Sequence, residues 1–119
     1  MFDCVLPTRL GRHGVAFSSI GNIKITNEKH KLDHEHIPVH PEFETHVSRT
    51  YTLGYLRHLF MAGEALGGQL LSLHNLEFLI NIAKRSREHI LAGTFESFRQ
   101  KFWEGYIVRN KVVKSPKFL

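Results

Sequence analysis

SRTYTLGYLRHLFMAGEALGGQLLSLHNLEFLINIAKRSREHILAG, residues 48–93, reads as helix over most of its length. Ser48 can act as an N-cap, and Tyr51, Tyr55, Leu56, Leu59, Phe60 and Ala62 follow at helical spacing. Gly67-Gly68 predicts a break. A second helix follows, with Leu76, Leu79, Ile80, Ala83, Ile90 and Leu91 as its apolar positions and Gly93 as its C-terminal stop. Thr94 can cap a third helix that carries Phe95, Phe98, Phe102 and Tyr106 on one face. Stripes of this kind are read first as core, because an amphipathic helix must bury its apolar side.

Working outward from that helical half, the N-terminal residues change period. Val15–Ser19 and Asn22–Thr26 are short strand candidates, and Ile20-Gly21 between them predicts a hairpin turn. Before them, Pro7 to Gly14 reads as a basic loop or a single helical turn opened by Pro7. Residues 28–47 carry His30, His34, His36, His40 and His46 with Pro38 and Pro41, show no periodicity, and are assigned irregular structure. The tail from Arg109 to Leu119 is basic and expected to fray. The chain therefore divides into residues 1–27, 28–47 and 48–119, an α+β unit with a short hairpin followed by about three helices.

Composition bounds the function without naming it. The 119 residues are 42% hydrophobic and 23% charged, which is ordinary for a globular domain. No run approaches the roughly 18 apolar residues of a membrane-spanning helix, and the N-terminus lacks the pattern of a signal peptide. A single cysteine, Cys4, cannot close an intramolecular disulfide. A cytoplasmic protein with no membrane partner is the expectation. The formal charge of +5 permits a polyanionic partner such as RNA.

Two blocks of sequence carry a resemblance. Met1-Phe2-Asp3-Cys4-Val5-Leu6-Pro7-Thr8-Arg9 with Gly11-Arg12-His13-Gly14-Val15-Ala16-Phe17 resembles a signature of the tRNA-guanine transglycosylases (queuine tRNA-ribosyltransferases). Tyr55-Leu56-Arg57-His58-Leu59-Phe60, Ala62-Gly63-Glu64 and Leu71-Ser72-Leu73-His74-Asn75-Leu76 are similar to later segments of the same family. The likeness runs from Met1 to about Tyr106.

That resemblance implies an α/β family fold, an irregular (β/α)8 barrel with a zinc-binding subdomain near its C-terminal end. It implies a pentosyltransferase that exchanges the wobble guanine of tRNA for queuine or a 7-deazaguanine precursor. The position matching the family nucleophile is Asp3, whose carboxylate would attack C1′ of the ribose and form a covalent intermediate. A carboxylate suits that step because it stabilises an oxocarbenium-like carbon and then bonds to it. Arg9 and Arg12 match positions near the tRNA anticodon loop, where a guanidinium's planar fork suits phosphates and base edges.

The chain also departs from the family pattern. Members hold a structural zinc ion with three cysteines and a histidine. His74 stands at the matching histidine, whereas Phe43, Thr45 and Ser48 stand where the cysteines belong. The histidines between 30 and 46 show no recognised zinc-finger spacing, although imidazole is a competent ligand. The family's general acid/base residue and base pocket have no counterpart in these residues, so the chain alone is expected to be inactive and to need an N-terminal barrel fragment. The alternative is a non-catalytic tRNA-binding or dimerisation module. For a homodimer, the helix holding Tyr51, Tyr55 and His58 is the candidate surface.

Overall fold

A computed structural model describes residues 1–108 together with 111 and 112. Five α-helices alternate with two small antiparallel ribbons: α1 Leu6–Arg12, β1 Val15–Ala16, β2 Ile23–Lys24, α2 His46–Thr50, α3 Leu53–Met61, α4 Ala65–Leu91, α5 Phe95–Trp103, β3 Ile107–Val108 and β4 Lys111–Val112. This is an α+β arrangement, with more helices than the sequence pattern predicts.

Three helical boundaries differ from expectation, each for a physical reason. Ser48 does not begin a helix. Thr45 does, and Ser48 closes a reciprocal capping box with it, each side chain accepting from the other's backbone N–H. Tyr51 then turns extended, and Thr52 caps α3 by accepting from the Tyr55 N–H at 3.2 Å. Gly67-Gly68 is not a break either, since α4 runs through both; the chain reverses before it, at Gly63, whose φ is +71°. Thr94 precedes α5 without a capping hydrogen bond, its hydroxyl pairing instead with His89 Nδ1 at 2.8 Å. Gly93 ends α4 as expected, with φ +73°. Tyr106 lies beyond α5 but stacks on Phe102 with ring centroids 5.7 Å apart.

Of the two readings of the N-terminal segment, the helical one is found, and it is longer than a single turn. Helix α1 runs seven residues with Pro7 in its first turn, where the missing N–H needs no partner. The hairpin forms, with Val15 opposite Lys24 and Ala16 opposite Ile23, but each strand is only two residues long. The ladder stops because the next backbone groups are taken elsewhere. Phe17 N–H donates to Asn75, and Ser19 N–H donates to the Pro38 carbonyl at 2.9 Å. The tail expectation falls largely outside the described residues; within them, β4 pairs with β3.

One buried cluster gathers Ala16, Ile25, Ile37, Val47, Leu53, Leu56, Leu59, Leu70 and Leu71, so the ribbon, α2, α3 and the first half of α4 share a core. A second joins Phe43, Phe78 and Phe98, with Phe17, Phe95 and Phe102 packed around them. Helix α1 lies directly on α4 because Gly11 removes the side chain at their crossing. A Cβ on Gly11 would stand 2.7 Å from the Ser72 backbone nitrogen. Gly67 faces α3 in the same way, 3.2 Å from Leu59 Cβ and the Phe60 ring, whereas a Cβ on Gly68 would make ordinary 3.5 Å contact with Arg12.

These distances separate helix propensity from packing. Alanine in place of a helical glycine gains roughly 1 kcal/mol of propensity, while forcing apart close-packed backbones costs about 1–3 kcal/mol. Gly11→Ala is therefore expected to lower unfolding stability in urea, and Gly68→Ala to leave it equal or raise it. Equal stabilisation by both would contradict the close α1–α4 contact.

Candidate functional site

Asp3 lies in the exposed segment that leads into α1, three residues before Leu6. Arg9 and Arg12 stand one turn apart in the last turns of that helix, both exposed. Their placement follows from how α1 is held. The Asn75 side chain, fully buried on α4, donates from Nδ2 to the carbonyls of Pro7 and Val15, each at 3.0 Å. Its Oδ1 accepts from the Phe17 N–H at 2.9 Å. One amide thus ties α1, β1 and the segment after β1 to the same point on α4. Arg12 borders an open groove with Thr8, Phe60, Glu64 and Gln69. The segment bearing Asp3 runs directly into the helix bearing the two arginines.

His74, the neighbour of Asn75, sits in a second constellation. It is 0% exposed, and Phe43, Thr45 and Ser48 beside it are 2%, 0% and 5% exposed. Thr45 bonds both Ser48 and His74, while Phe43 and His74 each pack on Phe78, so the four positions that the resemblance marks as a zinc centre are linked through shared neighbours. Their chemistry differs from that of a metal site. His74 Nε2 lies 2.7 Å from the Phe17 carbonyl oxygen, and Nδ1 lies 2.7 Å from Thr45 Oγ1. A carbonyl only accepts, so Nε2 carries the proton and the Thr45 hydroxyl donates to Nδ1.

The other histidines do not join them. His30 is buried and bonds Asp33 at 3.1 Å, where the Glu35 N–H and then His30 hold the Asp33 carboxyl below its usual range. His36 bonds the Ser48 carbonyl through Nδ1 at 2.7 Å, and His46 meets the edge of Tyr51. His34 and His40 are exposed. Among the described residues, no group of three His, Cys, Asp or Glu side chains could hold a metal ion. On α3, Tyr55 stacks on Tyr51 with centroids 5.5 Å apart and is 41% exposed, and His58 is exposed.

Sequence reasoning missed Asn75 and the bracing role of Thr45. The signals were present. A His-Asn pair interrupts an otherwise apolar helical face, and Thr45 stands three residues before Ser48 at the spacing of a capping box.

Burial pushes the His74 pKa down, against the smaller upward pulls of the Phe17 carbonyl and Glu77. A depressed histidine pKa means that the unfolded chain binds the proton more readily. This contribution to stability is complete above about pH 6.5 and is lost as pH falls from there toward the folded-state pKa. At pH 6.5 the ring is expected to remain neutral with hydrogen on Nε2, read from its ¹⁵N shifts. A doubly protonated ring at that pH would overturn the assignment.

A family model described as queuine tRNA-ribosyltransferase matches residues 1–107. The queuine tRNA-ribosyltransferase of Brucella suis biovar 1 is 42% identical over 106 residues, covering 89% of this chain and 28% of its own length. That of Ruminiclostridium cellulolyticum is 43% identical over 106 residues, covering 89% and 28%. That of Dictyoglomus turgidum is 40% identical over 107 residues, covering 90% and 27%. The chain spans little more than a quarter of the length of these curated relatives.

Proposed function

The chain belongs to the queuine tRNA-ribosyltransferase family, and from that premise we propose that it forms the C-terminal part of a tRNA-guanine transglycosylase. In this reading Asp3 is the nucleophile. Its carboxylate oxygen bonds to C1′ of the wobble ribose as the glycosidic bond breaks and guanine departs with the bonding pair. The incoming queuine or 7-deazaguanine precursor then attacks C1′ and releases the carboxylate. Arg9 and Arg12 hold the anticodon loop by its phosphates, which orients the RNA without reading its sequence.

The observation that supports this reading most is the position of Asp3 within the matched residues 1–107, on a segment leading into the helix that carries both arginines. Departure of guanine also needs an enclosing base pocket and a proton donor, and the grooves on this chain are open. The 119 residues alone are therefore inactive in this proposal and complete their site with an N-terminal barrel part of the family's (β/α)8 fold. Among the described residues no helix is long and apolar enough to cross a membrane. The proposed place of action is the cytoplasm, with tRNA as partner.

A second reading, a non-catalytic tRNA-binding or dimerisation module, draws support from exposed apolar surface. Leu66, Leu73, Leu76 and Ile80 follow one another along α4, exposed by 42%, 60%, 39% and 53%. Apolar side chains grouped on one face are a common mark of an interface.

Mixing the chain with the N-terminal part of a relative and following labelled guanine into tRNA separates the two readings. Exchange is expected only with both parts present, and Asp3→Asn is expected to reduce it at least about a thousandfold. Arg12→Ala is expected to weaken tRNA binding across sequences and to lower the salt slope by about 1. No exchange, with salt-dependent tRNA binding retained, would favour the module.

A further inference from the structure

A structural zinc ion needs anionic sulfur or a free imidazole lone pair at each corner of its tetrahedron. Phe43, Thr45 and Ser48 offer no thiolate, and the hydroxyls of Thr45 and Ser48 are already committed. Thr45 Oγ1 accepts from the Ser48 N–H at 3.0 Å while its own proton goes to His74. Ser48 Oγ accepts from the Thr45 N–H at 2.9 Å and donates to the Thr45 carbonyl at 3.1 Å.

His74 has no lone pair left for a metal. One nitrogen donates to the Phe17 carbonyl and the other accepts from Thr45. Phe43 offers no donor atom and is apolar packing, edge-on to Phe78, Phe98 and Phe102 with centroids 5.8–5.9 Å away. A cation entering this cluster would have to displace the Thr45 proton from a buried ring and face a phenyl group. The donor set does not fit zinc.

We infer that the zinc centre of the family is replaced in this chain by a metal-free brace, in which the Thr45–His74–Phe17 hydrogen-bond relay and the Phe43 ring join α2, α4 and the segment after β1. The relay makes the connection that a metal would otherwise make. It does so with neutral groups, each satisfied inside the protein. This conclusion concerns the internal support of the fold and stands whether or not the chain takes part in base exchange.

Two measurements on the full chain test it. Purified from zinc-supplemented medium without chelator, the chain is expected to contain well below one zinc per molecule by mass spectrometry, with the same Tm before and after excess EDTA. One zinc per chain together with a Tm that falls on chelation would overturn the inference. Thr45→Val keeps the shape and removes the hydroxyl, so its Tm is expected to fall by roughly 5 °C. An unchanged Tm in that variant would show that the relay braces nothing.

Discussion

The backbone of Phe17 is held from both sides by two adjacent side chains of one helix, and much of the N-terminal architecture depends on that grip. Asn75 accepts its N–H and His74 donates to its carbonyl. A ribbon of two-residue strands offers little cohesion of its own, since an isolated hairpin is marginal in water. Here α4 supplies polar partners that a third strand would otherwise provide. The same amide of Asn75 reaches the carbonyls of Pro7 and Val15, so helix, ribbon and following segment are fixed relative to one another. Leaving any of these buried groups unpaired would cost on the order of 1–3 kcal/mol each, which makes position 75 hard to substitute.

The proposed site residues rest on a well-packed support. Asp3, Arg9 and Arg12 are exposed, and nothing in their immediate surroundings distinguishes them from ordinary surface side chains. What sets them apart is the rigid mount beneath. Gly11 lets α1 pack closely on α4, where an added Cβ would meet the Ser72 backbone.

The helices were legible from their period, but the buried face of α4 was not. Of the stripe Leu76, Leu79, Ile80, Ala83, Ile90 and Leu91 read as core, only Leu79 is half-buried and the rest are exposed. Helix α4 buries Leu70, Leu71, His74, Asn75 and Phe78 instead. Gly67-Gly68 misled for a specific reason. A glycine pair signals either a turn or a close approach, and only the packing of α3 against Gly67 and of α1 near Gly68 decides between them. The hairpin was legible in kind but not in extent, because the groups that cut it short lie on Asn75 and Pro38, outside the hairpin itself. Thr45 and Ser48 are two hydroxyls three residues apart, either of which can cap; both turned out to act in one box. Asp3, Arg9 and Arg12 were visible only through resemblance, as neither spacing nor charge singles them out. His74 was found as a position, while its hydrogen-bonded role required the fold.

Helix α4 has a mechanical consequence. At a rise of about 1.5 Å per residue its 27 residues make a rod roughly 40 Å long. Its N-terminal half carries α1 and the residues next to Asp3; its C-terminal half carries His89, which stacks on Phe98 of the aromatic cluster. Because both glycines near its start are packed rather than kinked, the rod has no hinge there. One continuous helix therefore carries the mount of α1 on one half of its length and the aromatic cluster on the other.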